Sequence, residues 1–168
     1  STNIEDTKEY KINVCDFDIN LNEIENNKVQ LLTSKGLSGQ KVNKIWNITE
    51  DFANLIGIWL GDGCIKKRED KINGICFTVH NINKDEIEFI ERVCEETFGC
   101  NVTKHASRNV FNISVNSRIV GMIFNELFKS GFNNKELCSQ MFNWPKRLVN
   151  SLIAGLITTD GHITKYKH

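Results

Sequence analysis

The sequence predicts an α+β fold in which an αββαββα unit with an antiparallel sheet is followed by one more helix. Three observations predict it. Amphipathic helical stretches alternate with pairs of extended runs, turn-forming residues separate the runs, and one helical motif occurs twice. The 168 residues, of which 40% are apolar and 25% charged, are enough for one domain with its own core.

The first 48 residues are rich in Asn, Lys and Glu and form the least informative part of the chain. Weak alternation in "EYKINVCDFDINL" predicts one or two short strands, followed by a polar connection. We therefore define residues 1–48 as an N-terminal leader or extension. A helix is predicted from Thr49 to about Gly61, with Thr49 as its N-cap and two acidic residues in its first turn.

Two hairpins and two helices follow. In the first hairpin we expect the turn at Asn73-Gly74, because this dipeptide favours a tight two-residue turn. The stretch "NINKDEIEFIERVCEETFG" predicts an amphipathic helix that Asn83 can cap and Gly99 ends. The second hairpin turns near Arg108-Asn109. The remaining helix signals are a cap at Ser117, an end at Gly131, and Pro145 in the first turn of the last helix.

The composition limits the location and the cysteine chemistry. No apolar run reaches the roughly 18 residues that span a bilayer, and "STNIEDTKEY" does not resemble a signal peptide. We therefore expect an intracellular protein, in the cytoplasm or the nucleus, with no membrane partner. The six cysteines show no C-x-x-C spacing, which predicts reduced thiols and neither a zinc site nor a disulfide framework.

The net charge of zero conceals an uneven distribution. Residues 63–83 carry four basic residues against two acidic ones, and residues 101–118 carry three against none. Residues 84–100 carry two against six. With strands in the basic segments and a helix in the acidic one, this predicts a basic sheet face and an acidic helix face. A solvated surface without a partner is the alternative that this feature leaves open.

The repeated motif is "LIGIWLGDG" at residues 55–63 and "IAGLITTDG" at residues 153–161. In each copy two small residues stand four positions apart on one helix face, which lets two helix backbones approach closely. These small residues are Gly57 and Gly61 in the first copy, and Gly155 and Thr159 in the second. We therefore expect the two helices to pack against each other.

Each copy of the motif also places an aspartate five residues after its first glycine, followed by a glycine that can leave the helix. Paired helices would bring Asp62 and Asp160 together at one end. Two close carboxylates are unfavourable unless a cation lies between them. Oxygen ligands suit Mg²⁺, and paired Mg²⁺ ions suit in-line attack on a phosphodiester.

The two motifs, with the order of elements over residues 54–163, resemble the LAGLIDADG homing endonucleases. In that family the paired motif helices stand at the centre of a saddle of antiparallel strands that lies along the DNA major groove. The resemblance implies a site-specific double-stranded DNA endonuclease that uses Mg²⁺, with Mn²⁺ as a substitute, bound by Asp62 and Asp160. It also implies a first repeat at residues 49–146 and the start of a second at residues 147–168.

The resemblance implies further site residues. A basic residue after the third helix points to Lys135, for which a solvated loop lysine is the alternative. A polar residue at the end of the second strand points to His80 or Asn81, although Asn81 can also cap the next helix. DNA contacts are expected from outward strand positions, namely Lys66, Lys67, Arg68, Lys71, Thr78 and His80 in the first hairpin, and Lys104, His105, Arg108 and Asn112 in the second.

Eight residues follow Asp160, so "GHITKYKH" can begin only one strand of a second repeat. We expect a complementary C-terminal chain, a homodimer partner, or a gene that continues for roughly ninety residues. The leader is similar to the segment that links an intein splicing domain to its nuclease, but we expect no self-splicing. Two alternatives to the nuclease remain: a cleavage-inactive DNA- or RNA-binding module of the maturase or transcription-factor type, and a fragment that acts by association.

Overall fold

The computed structural model describes residues 9–128 and 143–167, with side chains of the last helix described as far as Thr158. The helices are α1 (Glu50–Asp62), α2 (Lys84–Phe98), α3 (Arg118–Phe128) and α4 (Lys146–Lys167). The strands are β1 (Lys11–Asn13), β2 (Leu21–Ile24), β3 (Lys28–Thr33), β4 (Gly36–Asn43), β5 (Ile45–Asn47), β6 (Gly63–Arg68), β7 (Lys71–His80), β8 (Val102–Ser107) and β9 (Val110–Val115). From α1 onward this is the predicted αββαββα order with one further helix, which confirms the fold class.

Helix α1 lies at the centre of the core. The Thr49 hydroxyl accepts a hydrogen bond from the Phe52 backbone N–H at 3.1 Å, which confirms the predicted N-cap. Buried side chains cover most of its surface, including Phe52, Leu55, Ile56 and Trp59. A helix that is apolar on nearly all sides must be covered on nearly all sides. Here the sheet, α2 and α4 provide that cover.

The main sheet has the antiparallel order β6-β7-β9-β8. Its inner face carries Phe77 and Val79 from β7 and Ile113 and Val115 from β9, all buried beneath the helices. Aromatic rings fill the space behind the sheet, with Phe124 in edge-on contact with both Trp59 and Phe98. Helices α1, α2 and α3 all contact this sheet, and among the described residues they pack on its inner face.

The turn of the first hairpin is not at Asn73-Gly74, so that prediction is wrong. The turn is Glu69-Asp70, whose φ angles of 53° and 63° are both in the left-handed region. Gly74 lies inside β7 at a register shift, where a side chain would collide with the backbone carbonyl of Val115. The glycine therefore permits close approach by the neighbouring strand. The second hairpin turns at Arg108-Asn109, as predicted.

The described residues of the N-terminal extension, 9–48, form five strands, more than the one or two expected. Strands β2, β3 and β4 form one sheet, and β1 pairs with β5. The extension covers the C-terminal end of α2, where the Trp46 and Phe98 rings are 4.7 Å apart. The Asn43 amide donates to the Thr97 carbonyl at 3.1 Å, and the Lys28 ammonium to the Gly99 carbonyl at 3.2 Å. These bonds satisfy carbonyls that a helix end leaves without partners.

Helix α4 continues through Gly161 to Lys167. The strand expected to begin in "GHITKYKH" is therefore not formed in the described residues, and the two D-G sequences end differently. After Asp62 the chain leaves α1 directly into β6, whereas after Asp160 it stays helical. The predicted helix end at Gly131 lies outside the described residues. No helix in the described parts of the chain is long and apolar enough to cross a membrane.

The structure overturns the prediction that the cysteines carry no disulfide. Cys64 of β6 and Cys76 of β7 stand directly opposite each other with their Cα atoms 5.4 Å apart, and they form a disulfide. This pairing depends on strand register, which C-x-x-C spacing does not report. Burial raises the pKa of the Cys94 thiol well above its usual value and that of Cys100 to about 11, so both are protonated at neutral pH.

We predict that Cys64→Ser lowers the free energy of unfolding in non-reducing buffer by about 2–3 kcal/mol, because the cross-link restricts the unfolded chain. Urea unfolding followed by circular dichroism, with and without a reductant, measures this difference. Cys15→Ser is the matched control, since Cys15 is an exposed free thiol. An unfolding midpoint of the wild-type chain that does not respond to reductant would contradict the prediction.

Candidate functional site

The two motif helices touch through their glycines. A Cβ atom on Gly57 would collide with the Leu152 carbonyl oxygen and lie 2.9 Å from the Leu156 nitrogen. A Cβ atom on Gly155 would collide with the Asn54 carbonyl oxygen and lie 3.0 Å from the Ile58 nitrogen. Both contacts are made to backbone, which cannot yield as a flexible side chain can. The backbones of α1 and α4 therefore meet at the distance that only glycine permits.

These contacts are related by an approximate two-fold axis. Each residue of α1 corresponds to the residue 98 positions later in α4, so that Gly57 corresponds to Gly155 and Asn54 to Leu152. Gly57 contacts Leu152, and Gly155 in turn contacts Asn54. The helices run in the same direction, because Arg147 near the start of α4 lines one cleft with Thr49 at the start of α1. Their C-terminal ends therefore lie on the same side of the contact.

Asp62 is fixed at the junction of α1 with the main sheet. It is the last residue of α1, and Gly63 after it already pairs with Phe77 in the sheet. A Cβ atom on Gly63 would collide with the Trp59 ring, whose indole N–H donates to the Cys64 carbonyl at 3.3 Å. The chain thus passes from helix to strand with no intervening loop. This constraint leaves the partly buried Asp62 little freedom of position.

Asp160 occupies the corresponding place on α4, but its side chain lies outside the described residues. Both aspartates are five residues beyond the glycine contact, about 7.5 Å along each helix axis. Their convergence on a metal ion stays a prediction. The described residues include no group of three or more His, Cys, Asp or Glu side chains that could hold a metal ion. Thr159 and Lys135 also lie outside the described side chains.

The polar residues at the end of β7 are anchored to the second hairpin. The Asn81 backbone N–H donates to the Asn109 carbonyl at 2.8 Å, so the end of β7 is tied to the turn between β8 and β9. His80 is the last residue of β7 and faces Val110. Its Nδ1 accepts a hydrogen bond from the Ile82 backbone N–H at 3.5 Å. Phe77 of β7 pairs with Gly63, the residue that follows Asp62. His80 and Asn81 therefore lie three and four residues along the chain from the strand position opposite Gly63.

The outer face of the sheet carries a row of polar side chains. Thr78, Asn112 and His105 stand side by side on β7, β9 and β8. The Thr78 hydroxyl donates to Asn112 Oδ1 at 3.2 Å, and Lys66 extends the same face on β6. Because directly opposite residues share a face, Thr78, Asn112 and His105 form one polar row, and the Cys64–Cys76 disulfide lies on the same face between this row and Lys66. We name it the outer polar face: Lys66, Thr78, Thr103, His105, Asn112 and Asn116.

Lys104 does not belong to that face, so its expected outward position is wrong. It pairs with the buried Ile113, and its ammonium lies 2.9 Å from the Glu91 carboxylate of α2. The alternation of β8 sends Lys104 toward the helices and His105 outward. The other predicted cations, Lys67, Arg68, Lys71 and Arg108, are exposed at or near the hairpin turns. Thr103 and Asn116 are members that the prediction omitted, although both alternate in step with residues it included.

Comparison with known proteins finds relatives that are much longer than this chain. No family model matches it. It is 30% identical over 156 residues to an uncharacterized protein of Methanocaldococcus jannaschii, covering 82% of this chain and 16% of that protein. It is 26% identical over 129 residues to a DNA polymerase of Thermococcus litoralis, covering 76% and 7%. It is 27% identical over 148 residues to the reverse gyrase of M. jannaschii, covering 88% and 8%.

We predict that Gly57→Ala and Gly155→Ala each destabilise the protein by about 1–3 kcal/mol, because the added methyl group must separate the two helix backbones. In an unconstrained helix the same substitution would stabilise by about 1 kcal/mol, so the sign alone is diagnostic. Denaturant unfolding measures it. Ala154→Ser, on the exposed side of α4, is the control and should change stability by less than about 0.5 kcal/mol. Stabilisation by either glycine substitution would exclude the close contact.

Proposed function

We propose that this chain is the N-terminal portion of a site-specific DNA endonuclease of the LAGLIDADG type. The observation that carries the proposal is the glycine contact between α1 and α4. It directs the two D-G sequences to one side of the contact, next to the sheet that carries the outer polar face. A second aspartate at the symmetry-related position favours the nuclease over a binding module on the same fold, because a pure binder has little use for two converging carboxylates.

In this proposal Asp62 and Asp160 hold the divalent ions. Carboxylate oxygens suit Mg²⁺ or Mn²⁺, and Asp62 stands at a rigid helix–strand junction. When bound, the ions would supply charge stabilisation and an activated water for hydrolysis of a phosphodiester. Asn81 and Lys135 are proposed to orient water or to stabilise phosphate charge, and Asn81 has a fixed backbone for that task.

The outer polar face is proposed to contact double-stranded DNA. An antiparallel ribbon of strands fits the major groove, where side chains can reach base edges. Asn112 and Thr78 offer neutral hydrogen-bonding groups for bases, whereas Lys66 and the cations of the hairpin turns suit phosphates. His105 lies beside Asn112 and would extend the contact across a third strand.

The comparisons support an inserted, mobile module. Overlapping stretches of this chain are similar to small parts of a DNA polymerase and of a reverse gyrase, which are two different enzymes. A segment shared by otherwise different proteins is typical of an element that moves between host genes. We therefore propose that this chain, like a homing endonuclease within an intein, belongs to such an element.

The exposed side of α4 supports completion by a second sheet half. Ile153 and Ile157 are 42% and 60% exposed, whereas the corresponding residues of α1, Leu55 and Trp59, are fully buried beneath the first sheet. Exposed apolar side chains at these positions favour a matching cover. We propose that a complementary C-terminal segment or chain, or a homodimer partner, provides it.

We predict that, in the enzyme completed by its C-terminal half, Asp62→Asn lowers metal-dependent cleavage by at least about a hundredfold while duplex binding is retained, because a metal ligand is lost without a change of shape. Cleavage of a randomised duplex library in Mg²⁺ or Mn²⁺, followed by sequencing of the new ends, measures it. The matched control is Asp51→Asn, an exposed acid at the other end of α1. Undiminished cleavage by the Asp62 variant would remove this residue from the site. Duplex binding without cleavage by the completed wild-type enzyme would favour a binding module.

We predict that Lys66→Gln reduces the slope of log affinity against log salt for duplex DNA by about one, the value for one lost phosphate contact. Lys104→Gln is the matched control and should leave the slope unchanged, since Lys104 faces α2. Fluorescence anisotropy with a labelled duplex between about 50 and 200 mM salt measures both slopes. Equal slopes for the two variants would show that the outer polar face is not the DNA-contacting surface.

A further inference from the structure

Asn116, the residue that follows β9, connects three separate parts of the protein. Its side-chain Oδ1 accepts a hydrogen bond from the Lys66 ammonium at 2.8 Å. Its Nδ2 donates to the Thr103 hydroxyl at 3.1 Å. Its backbone carbonyl accepts from the Gln40 side-chain amide of β4 at 3.0 Å. Asn116 therefore joins both edge strands of the main sheet to the N-terminal extension.

The path from Lys66 to Asn116 is open because β7 carries a glycine between them. Lys66 pairs with Gly74, and Gly74 stands on the same face of the sheet. A Cβ atom at this position would collide with the Val115 carbonyl oxygen and lie 3.2 Å from the Ser117 nitrogen, the backbone on either side of Asn116. The close approach that excludes a side chain at Gly74 thus also lets the lysine cross to Asn116.

Gln40 fixes this arrangement from the N-terminal extension. While its Nε2 donates to the Asn116 carbonyl, its Oε1 accepts from the Asn101 backbone N–H at 2.9 Å. One side chain thus bridges the chain just before β8 and just after β9. Because both bonds are made to backbone, they fix the end of the sheet at which Asn116 and Lys66 meet.

The hydrogen-bonding chemistry of Lys66 and Asn116 permits one orientation of the Asn116 side-chain amide. The Asn116 amide must direct its oxygen to the ammonium, since the reversed amide would bring N–H groups against a cation. The Lys66 ammonium has three N–H donors, and Asn116 is its hydrogen-bond partner within the part of the chain that the structure describes, so one ammonium can bind Asn116 and phosphate oxygens together. A lysine that is already ordered loses less side-chain entropy when it binds a phosphate.

We propose that Asn116, held by Gln40, is a positioning residue that presents Lys66 to a phosphate of duplex DNA. The proposal rests on the proposed DNA-binding function. It also assigns the N-terminal extension a role, which is to fix one end of the DNA-contacting face. The predicted consequence is that Asn116 affects DNA affinity only through Lys66.

The first experiment tests the positioning without DNA. Acetylation of the full chain by a small acylating reagent, followed by mass spectrometry, reports the reactivity of each lysine. Asn116→Ala should raise the acetylation rate of Lys66 several-fold, because its ammonium loses its acceptor, and should leave exposed Lys71 unchanged. Asn112→Ala is the matched control on the same face, since Asn112 contacts Thr78. Asn116→Asp keeps an acceptor oxygen and should keep Lys66 protected, and Gln40→Ala should give a smaller increase than Asn116→Ala.

The second experiment measures binding to a mixed-sequence duplex. Asn116→Ala should weaken binding about two- to tenfold, the cost of ordering one long side chain. It should leave the salt slope unchanged, because the charge of Lys66 is still present. In the Lys66→Ala background, Asn116→Ala should cause no further loss.

The outcomes separate this proposal from the proposed function. Unchanged Lys66 acetylation in Asn116→Ala, or binding losses that add in the double variant, would overturn the positioning role while duplex binding by the wild type still stands. No binding to any duplex by the wild type would overturn the proposed function, and the DNA role of Asn116 with it. Thermal unfolding of each variant checks that the fold is retained, with Asn116→Asp as the second variant should Asn116→Ala unfold.

Discussion

The contact between the backbones of α1 and α4 at Gly57 and Gly155 is the constraint on which the arrangement depends. Side chains of ordinary size hold packed helices about 8–10 Å apart, and these two glycines remove that separation locally. Because α1 is buried on its remaining sides by the sheet, α2 and the aromatic cluster, its position is not adjustable. The glycine contact therefore fixes the position of α4, and of the D-G sequence within it, relative to the sheet.

The elements that the sequence predicts correctly are those whose signals are local. Thr49 caps α1 through a side chain three residues from its partner, and Ser117 caps α3 in the same way. Gly99 ends α2 with a φ of 68°, a conformation that its lack of a side chain favours. The alternation of β7 and β9 follows from their burial on one face. The order of elements could thus be predicted without tertiary contacts.

The errors fall where distant parts of the chain decide the structure. Asn73-Gly74 has the composition of a turn, but the approach of Val115 from β9 places the glycine within β7. The Cys64–Cys76 disulfide depends on the register of β6 with β7, and a shift of one residue would separate the two cysteines. The position of Lys104 depends likewise on the register of β8. The strands of the N-terminal extension pair mainly with each other and pack on α2, which their sequence does not show.

The sequence predicts the motif of the candidate site, but it does not show the hydrogen bonds between the N-terminal extension and the end of β9. The duplicated motif locates Asp62, whereas the contacts of Gln40 and Asn116 join residues 76 positions apart in the chain. The Asp62 end of the sheet and the Asn116 contacts lie at opposite ends of β9. At one end Val115 pairs with Ile75, and the neighbouring Gly74 pairs with Lys66. At the other end Val110 pairs with His80, the last residue of β7. The helix–strand junction at Gly63 and the tie between Asn81 and Asn109 restrain the end nearer His80. Gln40 and Asn116 restrain the other end, so the strands between them are held from both sides. A sheet restrained in this way can keep the proposed metal site and the outer polar face in constant register, which the proposed cleavage at a defined position would require.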